Sequence, residues 1–246
     1  MRDWLDSRTV FRAGLKHLLD EPLPRGVGWW FVTGSIVLFL LSVQLLTGVV
    51  LAIYYSPSPD HAYDSVRFIM ERVTLGRVLR GLHFFGASFI VIAAIVHMSR
   101  VVWLGSYKKP RELNWIVGVL LLILGMFEGF TGYLLPFDQT AYWATVVGMN
   151  ITANGPFVGG IMGQILQGGP AIGPDTLARF YSLHMLVAPG AIFALIGLHL
   201  YLVIRLGVSS PPWSKEAAGG EHLEPDAPPP ARPGLISPTA RGRPQP

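Results

Sequence analysis

The alternation of apolar and polar positions divides the chain into four long apolar runs joined by polar connections. The runs cover about residues 29–54, 81–104, 114–135 and 181–206. Each is long enough for an α-helix to cross the ~30 Å hydrocarbon core of a bilayer. The pattern therefore predicts an all-α membrane protein, a bundle of four transmembrane helices.

The segments outside the runs differ in character. In the N-terminal segment, residues 1–28, apolar side chains recur at helical spacing among basic ones, which predicts a short amphipathic helix on the membrane surface; a soluble cap is the alternative. The third connection, residues 136–180, is long and rich in glycine, and we expect two short helices there, lying along the membrane. Residues 207–246 form a proline-rich tail that we expect to be extended or held by a partner.

Composition limits the chemistry and suggests an orientation. The chain has no cysteine, which excludes disulfides, iron–sulfur ligation and thioether-linked haem by its own residues. Its net charge of +4 reflects topology rather than nucleic-acid binding. The second connection carries Lys108, Lys109 and Arg111 and shares one membrane side with both chain termini. The positive-inside rule places that side, and both termini, in the cytoplasm.

Four histidines lie inside two of the runs. His83 and His97 are fourteen residues apart, and His184 and His199 are fifteen apart. In helices these intervals leave each pair within about 40° to 60° of one face and about 21 to 22 Å apart in height. If the two helices are parallel, His83 faces His184 and His97 faces His199, and each facing pair can supply two axial nitrogens to a haem iron. A lone histidine would be interpreted as a hydrogen-bonded residue of the bundle, but two matched pairs at membrane depth favour haem ligation.

Glycines repeat the same interval in the other two runs. Gly34 and Gly48 are fourteen apart in the first run, and Gly118 and Gly132 are fourteen apart in the third. Glycine lets a helix or a flat ligand approach closely, so these positions suggest clearance for two stacked macrocycles; ordinary helix packing is the alternative. Pro189, between the histidines of the fourth run, could kink the helix and absorb the longer interval.

Three charged residues in or beside the apolar runs have open roles. Arg80 and Arg100 each lie three residues from a histidine, where they could neutralise a haem propionate or simply end a membrane span. Glu128 is a carboxylate in apolar surroundings, either functional or close enough to the span end to reach water.

Four segments carry a resemblance to a known family. Residues 25–210 resemble the N-terminal half of cytochrome b from quinol:cytochrome c oxidoreductases, the cytochrome bc and bf complexes. The similar segments are QLLTGVVLAIYY (Gln44–Tyr55), SYKKPRELNW (Ser106–Trp115), GYLLPFDQTAYWA (Gly132–Ala144) and RFYSLH (Arg179–His184).

The resemblance implies two non-covalent b-type haems and assigns residues to them. His83 and His184 would ligate the low-potential haem near the positive side, and His97 and His199 the high-potential haem near the negative side. The four glycines match the family pattern, and Arg80, Arg100 and Ser106 match positions that contact propionates. Candidates for lining the quinol-oxidation site are Phe130, Gly132, Tyr133, Tyr142 and Val146.

Departures from the family pattern indicate a split form. The interval between His184 and His199 is similar to that of the short bf-type cytochrome b. Val32 stands where the bf-type chain has its haem-linking cysteine, so a covalent extra haem is not expected, and Phe137 replaces the usual tryptophan. No Pro-Glu-Trp-Tyr motif is present, which implies a separate C-terminal cytochrome b subunit that carries it.

The implied function is transmembrane electron transfer within a translocating quinol–cytochrome-c reductase, of which this chain is one subunit. Quinol oxidised at the positive side would give one electron to a Rieske iron–sulfur protein and a cytochrome c subunit. The other would cross both haems to a quinone-reduction site at the negative side, contributing to a proton gradient. The resemblance also implies a dimeric complex and a multi-pass location in the bacterial cytoplasmic membrane.

Two other functions also fit four helices with paired histidines. One is a di-haem membrane anchor of a dehydrogenase or hydrogenase, against which the segments GYLLPFDQ and SYKKPREL argue. The other is a transporter or structural bundle whose histidines relay protons or form hydrogen bonds, and this function predicts no haem.

Overall fold

The structure is a computed structural model, and it describes residues 27–213. The predicted N-terminal surface helix and all but the first residues of the predicted tail lie outside this range.

Residues 27–213 form helices and no strands, which confirms the predicted fold class. A 3-10 turn, Trp29–Val32, leads into the first long helix. The helices are α1 (Thr33–Tyr54), α2 (Ala62–Arg72), α3 (Gly76–Trp103), α4 (Glu112–Tyr133), α5 (Gln139–Ala153), α6 (Gly159–Gln167), α7 (Pro174–Ser182) and α8 (Ala188–Leu206), with a π-helical turn, Leu183–Val187, between α7 and α8.

Four of these segments are long and apolar enough to cross a membrane. They are Trp29–Tyr54, Gly76–Trp103, Glu112–Tyr133 and Pro174–Leu206, with mean hydropathies between 1.9 and 2.7. The second and fourth begin five and seven residues before the predicted starts. Their first turns contain polar residues, so apolar composition alone did not mark them as part of the helices. Large apolar side chains are exposed along the outer faces, as expected of a surface that contacts lipid.

The spans pack as two pairs. Helix α1 packs mainly along α3, and α4 packs mainly along α8, while contacts between α3 and α4 are fewer. Each helix that carries histidines is therefore paired with a helix that carries the repeated glycines.

The third connection forms a compact core at one end of the bundle. Its two short helices, α5 and α6, agree with the prediction of short helices there. The buried residues of this core come from four helices and from the residue after α4: Ala62, Leu134, Met149, Leu166, Leu177 and Phe180. This core holds the end of α4 against the start of the fourth span, which carries His184.

The extra residue of the fourth span lies in the π-helical turn. This turn contains His184 and ends two residues before Pro189. A π-helical turn contains about one residue more than an α-helical turn. The fifteen residues from His184 to His199 therefore place the two side chains as fourteen residues would in a regular α-helix. Sequence reasoning attributed the longer interval to a kink at Pro189. The structure instead places it in the turn before the proline, whose missing N–H removes the usual bond to residue 185.

Candidate functional site

The structure brings the four histidines together as two pairs across the bundle. The ring centres of His83 and His184 are 6.2 Å apart, with planes at 80°. The ring centres of His97 and His199 are 6.5 Å apart, with planes at 75°. His83 and His97 belong to one helix, so the two pairs are stacked with a separation of about 21 Å along its axis.

Each histidine ring lies against one of the four repeated glycines. A Cβ added to Gly48 would lie 3.0 Å from Cε1 of His83, and one added to Gly34 would lie 3.1 Å from Cε1 of His97. On the other helix pair, a Cβ added to Gly132 would lie 2.5 Å from Cε1 of His184, and one added to Gly118 would lie 3.5 Å from Cε1 of His199. At three of the four positions, any larger residue would displace a histidine ring. The glycines therefore set the positions of the rings.

A threonine next to three of these glycines contacts Nδ1 of the histidine, a feature that sequence reasoning missed. The Oγ1–Nδ1 distances are 3.0 Å for Thr47 and His83, 3.1 Å for Thr33 and His97, and 3.3 Å for Thr131 and His184. The signal was present in the sequence, because Thr-Gly pairs occur at positions 33–34, 47–48 and 131–132.

These contacts determine which ring nitrogen of each histidine is available to bind a metal ion. When Nδ1–H donates to a neighbouring oxygen, the lone pair of the neutral imidazole lies on Nε2. Such second-shell hydrogen bonds are the usual means of fixing the tautomer and orientation of a metal-binding histidine.

His199 differs from the other three histidines. Val117 precedes Gly118 where the other glycines follow threonine, and valine has no hydroxyl. The buried Nδ1 of His199 makes no hydrogen bond within residues 27–213, although the backbone of Asn114 approaches it.

Glu128 contacts His184, which gives this residue a specific partner. Its Oε1 lies 3.2 Å from Nδ1 of His184, and its backbone oxygen lies 3.0 Å from the same nitrogen. The side chains of His184 and Glu128 are 13% and 22% exposed, so the contact is largely shielded.

The predicted propionate ligands have modest contacts among the described residues. The guanidinium of Arg100 lies over the ring of Phe31 at 4.3 Å, and its buried Nε has no hydrogen-bond partner there. Arg80 lies over the ring of Phe84 at 5.9 Å. Neither arginine pairs with a carboxylate in residues 27–213. Both therefore remain able to bind an anionic group.

Ser106 and Arg111 lie at the end of the bundle where the second connection meets the end of α8. Oγ of Ser106 is 2.6 Å from Oγ of Ser209, and Arg111 donates to the backbone oxygen of Leu206 at 3.1 Å. Burial lowers the pKa of Arg111, whose Nε has no partner within the described range. Sequence reasoning used Arg111 only for topology, but the structure places this basic group, like Ser106, against the end of the fourth span.

The candidates for the quinol-oxidation site come from the last turn of α4 and from α5. The ring of Phe130 packs against that of Phe180 at 5.4 Å and leaves no room for a side chain at Gly148 of α5. Gly132 contacts His184, so this group lies beside the His83–His184 pair.

The two candidates on α5 follow the same helix. Tyr142 contacts the rings of Phe137 and Trp143 at 6.5 and 5.2 Å, and Val146 lies one turn further and is partly buried. The contact between α5 and the end of α4 brings both groups of candidates to one end of the bundle.

The fold and these contacts define a multi-pass helical membrane protein with stacked histidine pairs. Residues 18–207 match the family described as cytochrome b/b6/petB, and the chain belongs to that family. It is 37% identical over 217 residues to the menaquinol:cytochrome c reductase cytochrome b subunit of Geobacillus thermodenitrificans, covering 85% of this chain and 97% of the relative. It is 38% identical over 209 residues to cytochrome b6 of Synechococcus sp. (strain JA-3-3Ab), with the same coverage of both chains.

A solved structure has the same fold. A chain of a hyperthermophilic respiratory Complex III matches with a TM-score of 0.78 and 32% sequence identity. The match covers 85% of this chain and 56% of the other, so this chain spans little more than half the length of that one.

Family membership implies b-type haem as the cofactor, and the histidine pairs fit it. A bound histidine nitrogen lies about 2 Å from its metal ion and about 1 Å in front of its ring centre, so two rings on opposite sides of one ion have centres about 6 Å apart. The observed 6.2 and 6.5 Å match this value. Within residues 27–213 no group of three or more histidines and acids could hold a bare metal ion. Two opposed nitrogens instead suit an iron whose other ligands belong to a macrocycle.

Proposed function

We propose that the chain is the transmembrane electron-transfer subunit of a quinol:cytochrome c oxidoreductase and holds two non-covalent b-type haems. The observation that carries this proposal is the pair of cross-bundle histidine contacts, at 6.2 and 6.5 Å, stacked on the same helices. When bound, each haem supplies a one-electron carrier. Two carriers separated by about 21 Å along a helix would bridge most of the ~30 Å hydrocarbon core.

Each element of the bundle has a role in this function. His83 and His184 would hold the haem at the α5 end, and His97 and His199 would hold the other haem. The glycines admit the rings at their observed positions, and three threonines present Nε2 by engaging Nδ1. Arg80, Arg100 and Ser106 would bind propionates. The absence of cysteine and the presence of Val32 support non-covalent haem only.

The residues at the α5 end would line part of a quinol-oxidation site. Support comes from the contact between α4 and α5, which carry Phe130, Gly132, Tyr133, Tyr142 and Val146, and from the contact of Gly132 with His184. Aromatic and small side chains suit a flat apolar headgroup. A quinone-reduction site would lie near the His97–His199 pair at the opposite end.

The remaining parts of the enzyme would come from partners. We propose a C-terminal cytochrome b subunit, a Rieske iron–sulfur protein and a cytochrome c subunit, assembled as a dimer. The proposed location is a bacterial cytoplasmic membrane with both termini in the cytoplasm, because Lys108, Lys109 and Arg111 share one connection. Residues 207–246 would be held by a partner or stay extended.

The test is a redox titration of haem absorption in the membrane complex. Two b-type components at separate potentials are expected, one missing in His83→Ala and the other in His97→Ala. His61→Ala serves as the control, because His61 is exposed in the first connection. Its titration is expected to match that of the unmodified complex.

Three outcomes contradict the proposal. A protein without b-type haem would support a transporter or structural bundle. One component lost in both variants would exclude two separate sites. Co-purification with a dehydrogenase, and not with a Rieske protein, would favour a di-haem anchor.

A further inference from the structure

The two histidine pairs differ in what contacts their Nδ1 atoms. In the first pair, His83 meets the hydroxyl of Thr47, and His184 meets the hydroxyl of Thr131. In the second pair, His97 meets Thr33, while the described residues offer His199 no hydrogen bond. The first pair therefore has more hydrogen-bond acceptors than the second.

Glu128 increases this difference. Among the residues four positions before the repeated glycines, Gln44, Asn114 and Glu128 each have a backbone group close to a histidine. Glu128 is the one carboxylate among them. Its Oε1 lies 3.2 Å from Nδ1 of His184, in addition to the backbone oxygen at 3.0 Å.

The side chain of Glu128 has no competing partner in residues 27–213. Its Oε2 is buried and makes no hydrogen bond, and no lysine or arginine there forms an ion pair with it. Thr131 donates to the backbone oxygen of Glu128 at 3.0 Å and not to its carboxylate.

A carboxylate at this position changes the ligand itself. A histidine that donates Nδ1–H to a carboxylate is a more basic ligand, and second-shell contacts of this kind tune a metal centre. A more basic ligand stabilises the oxidised ion more than the reduced ion, which lowers the reduction potential. The threonine contacts number two at the first pair and one at the second, so they favour the same order of potentials, and Glu128 adds a carboxylate at the first pair alone.

We propose that Glu128 is a positioning residue that holds His184 through Nδ1 and keeps the potential of the His83–His184 site below that of the His97–His199 site. This inference rests on the proposed function, since it requires a haem at each pair. It assigns part of the potential gradient across the membrane to one side chain of α4.

The test compares Glu128→Gln with Glu112→Gln in the complete membrane complex. Both substitutions exchange a carboxylate for an amide on α4, and the control site is about 24 Å from Glu128 along the helix. In Glu128→Gln we expect the lower-potential component to shift upward by roughly tenfold in its reduction equilibrium, ~59 mV for one electron. The other component and both components of Glu112→Gln are expected to keep their potentials.

Electron paramagnetic resonance of the oxidised complex gives a second measurement. The low-spin signal of the same component should move in Glu128→Gln, because the signal reports ligand basicity and ring orientation. If Glu128→Gln loses the lower-potential component, Glu128→Asp provides the test. Its carboxylate is one carbon shorter, so the signal and the potential of that component should shift. An unshifted signal in Glu128→Asp overturns the proposal.

The inference is also wrong if Glu128→Gln retains both components at unchanged potentials, or if the higher-potential component is the one that moves. Absence of b-type haem from the unmodified complex would instead contradict the proposed function.

Discussion

Gly132 lies so close to His184 that a Cβ at this position would be 2.5 Å from Cε1 of the imidazole. At Gly118 the same construction leaves 3.5 Å to Cε1 of His199, an ordinary van der Waals contact. Two glycines of one helix, with equivalent positions in the sequence, therefore differ in how tightly they pack against their histidines.

This difference predicts unequal effects of the same substitution. Gly132→Ala should displace the ring of His184, because the added methyl group would occupy the space of that ring. The lower-potential haem component should therefore be lost or shifted. Gly118→Ala should retain both components. The measurement is the ratio of haem to protein, together with a redox titration. Equal haem loss in both variants would contradict the packing argument.

The hydroxyl of Thr47 provides a second prediction. Thr47→Val keeps the shape of the side chain and removes the oxygen that lies 3.0 Å from Nδ1 of His83. Loss of an outer-shell partner typically weakens metal binding by about 10- to 100-fold. We therefore expect a lower haem-to-protein ratio after detergent purification and a higher potential of the component that His83 holds.

The control for Thr47→Val is Ser42→Ala on the same helix. Ser42 donates to the backbone oxygen of Leu38 at 2.9 Å and does not contact a histidine. Its substitution removes a hydroxyl without touching either pair. If both variants lost haem equally, the effect would come from the helix and not from the contact with His83.

The spans and the pairing of histidines could be predicted from sequence because both follow from the regular geometry of an α-helix. Apolar length marks the spans, and the intervals of fourteen and fifteen place His83 opposite His184 and His97 opposite His199 once the helices are parallel. The predicted all-α membrane fold and the cytochrome b family were confirmed. Haem ligation by each individual histidine stays a prediction.

The contacts around Nδ1 could not be predicted, because they depend on the rotation of one helix against another. Thr47 and Thr131 look like ordinary polar residues of a membrane helix until the structure brings them to 3.0 and 3.3 Å from the imidazoles. The π-helical turn at His184 was missed for a different reason. Its cause, the absent N–H of Pro189, is visible in the sequence, but a kink and a wider turn are both compatible with it.

Val117 provides a prediction in which a contact is added. It occupies the position that threonine has before the other three glycines, and Nδ1 of His199 lacks a hydrogen bond within the described residues. Val117→Thr preserves the side-chain shape and supplies the missing oxygen. The potential of the higher component should therefore fall toward that of the other, as measured by redox titration.

The comparison for Val117→Thr is Val49→Thr, which makes the same change at an exposed position of α1. It should leave both potentials unchanged. A Val117→Thr complex with an unaltered higher component would show that the hydroxyl does not reach His199.

The last prediction concerns Tyr55, just beyond the first span. Its hydroxyl donates to the backbone oxygen of Leu135 at 2.6 Å, and its ring stacks on Tyr181 with centres 5.6 Å apart. Burial raises the pKa of Tyr55, and the neighbouring Tyr181 raises it further. The residue thereby joins the ends of three membrane spans.

Because the pKa of Tyr55 is higher in the folded than in the unfolded protein, the free energy of unfolding depends on pH. The stabilisation is complete below the ordinary tyrosine pKa of about 10, and it is lost as the pH rises from there toward the pKa of the folded state, because the unfolded chain then binds fewer protons. Tyr55→Phe should lower stability by about 1 kcal/mol at neutral pH through the lost hydrogen bond. It should also make the decline above about pH 10 less steep.

Thermal unfolding of the detergent-solubilised complex, followed by far-UV circular dichroism from about pH 8 to about pH 11, measures both effects. Tyr63→Phe is the control, because Tyr63 is exposed on α2 and should leave the pH profile unchanged. A Tyr55→Phe profile parallel to that of the unmodified complex up to the highest pH would show that this hydroxyl does not resist ionisation in the folded state. The hydrogen bond to Leu135 would then contribute to stability without any linkage to pH.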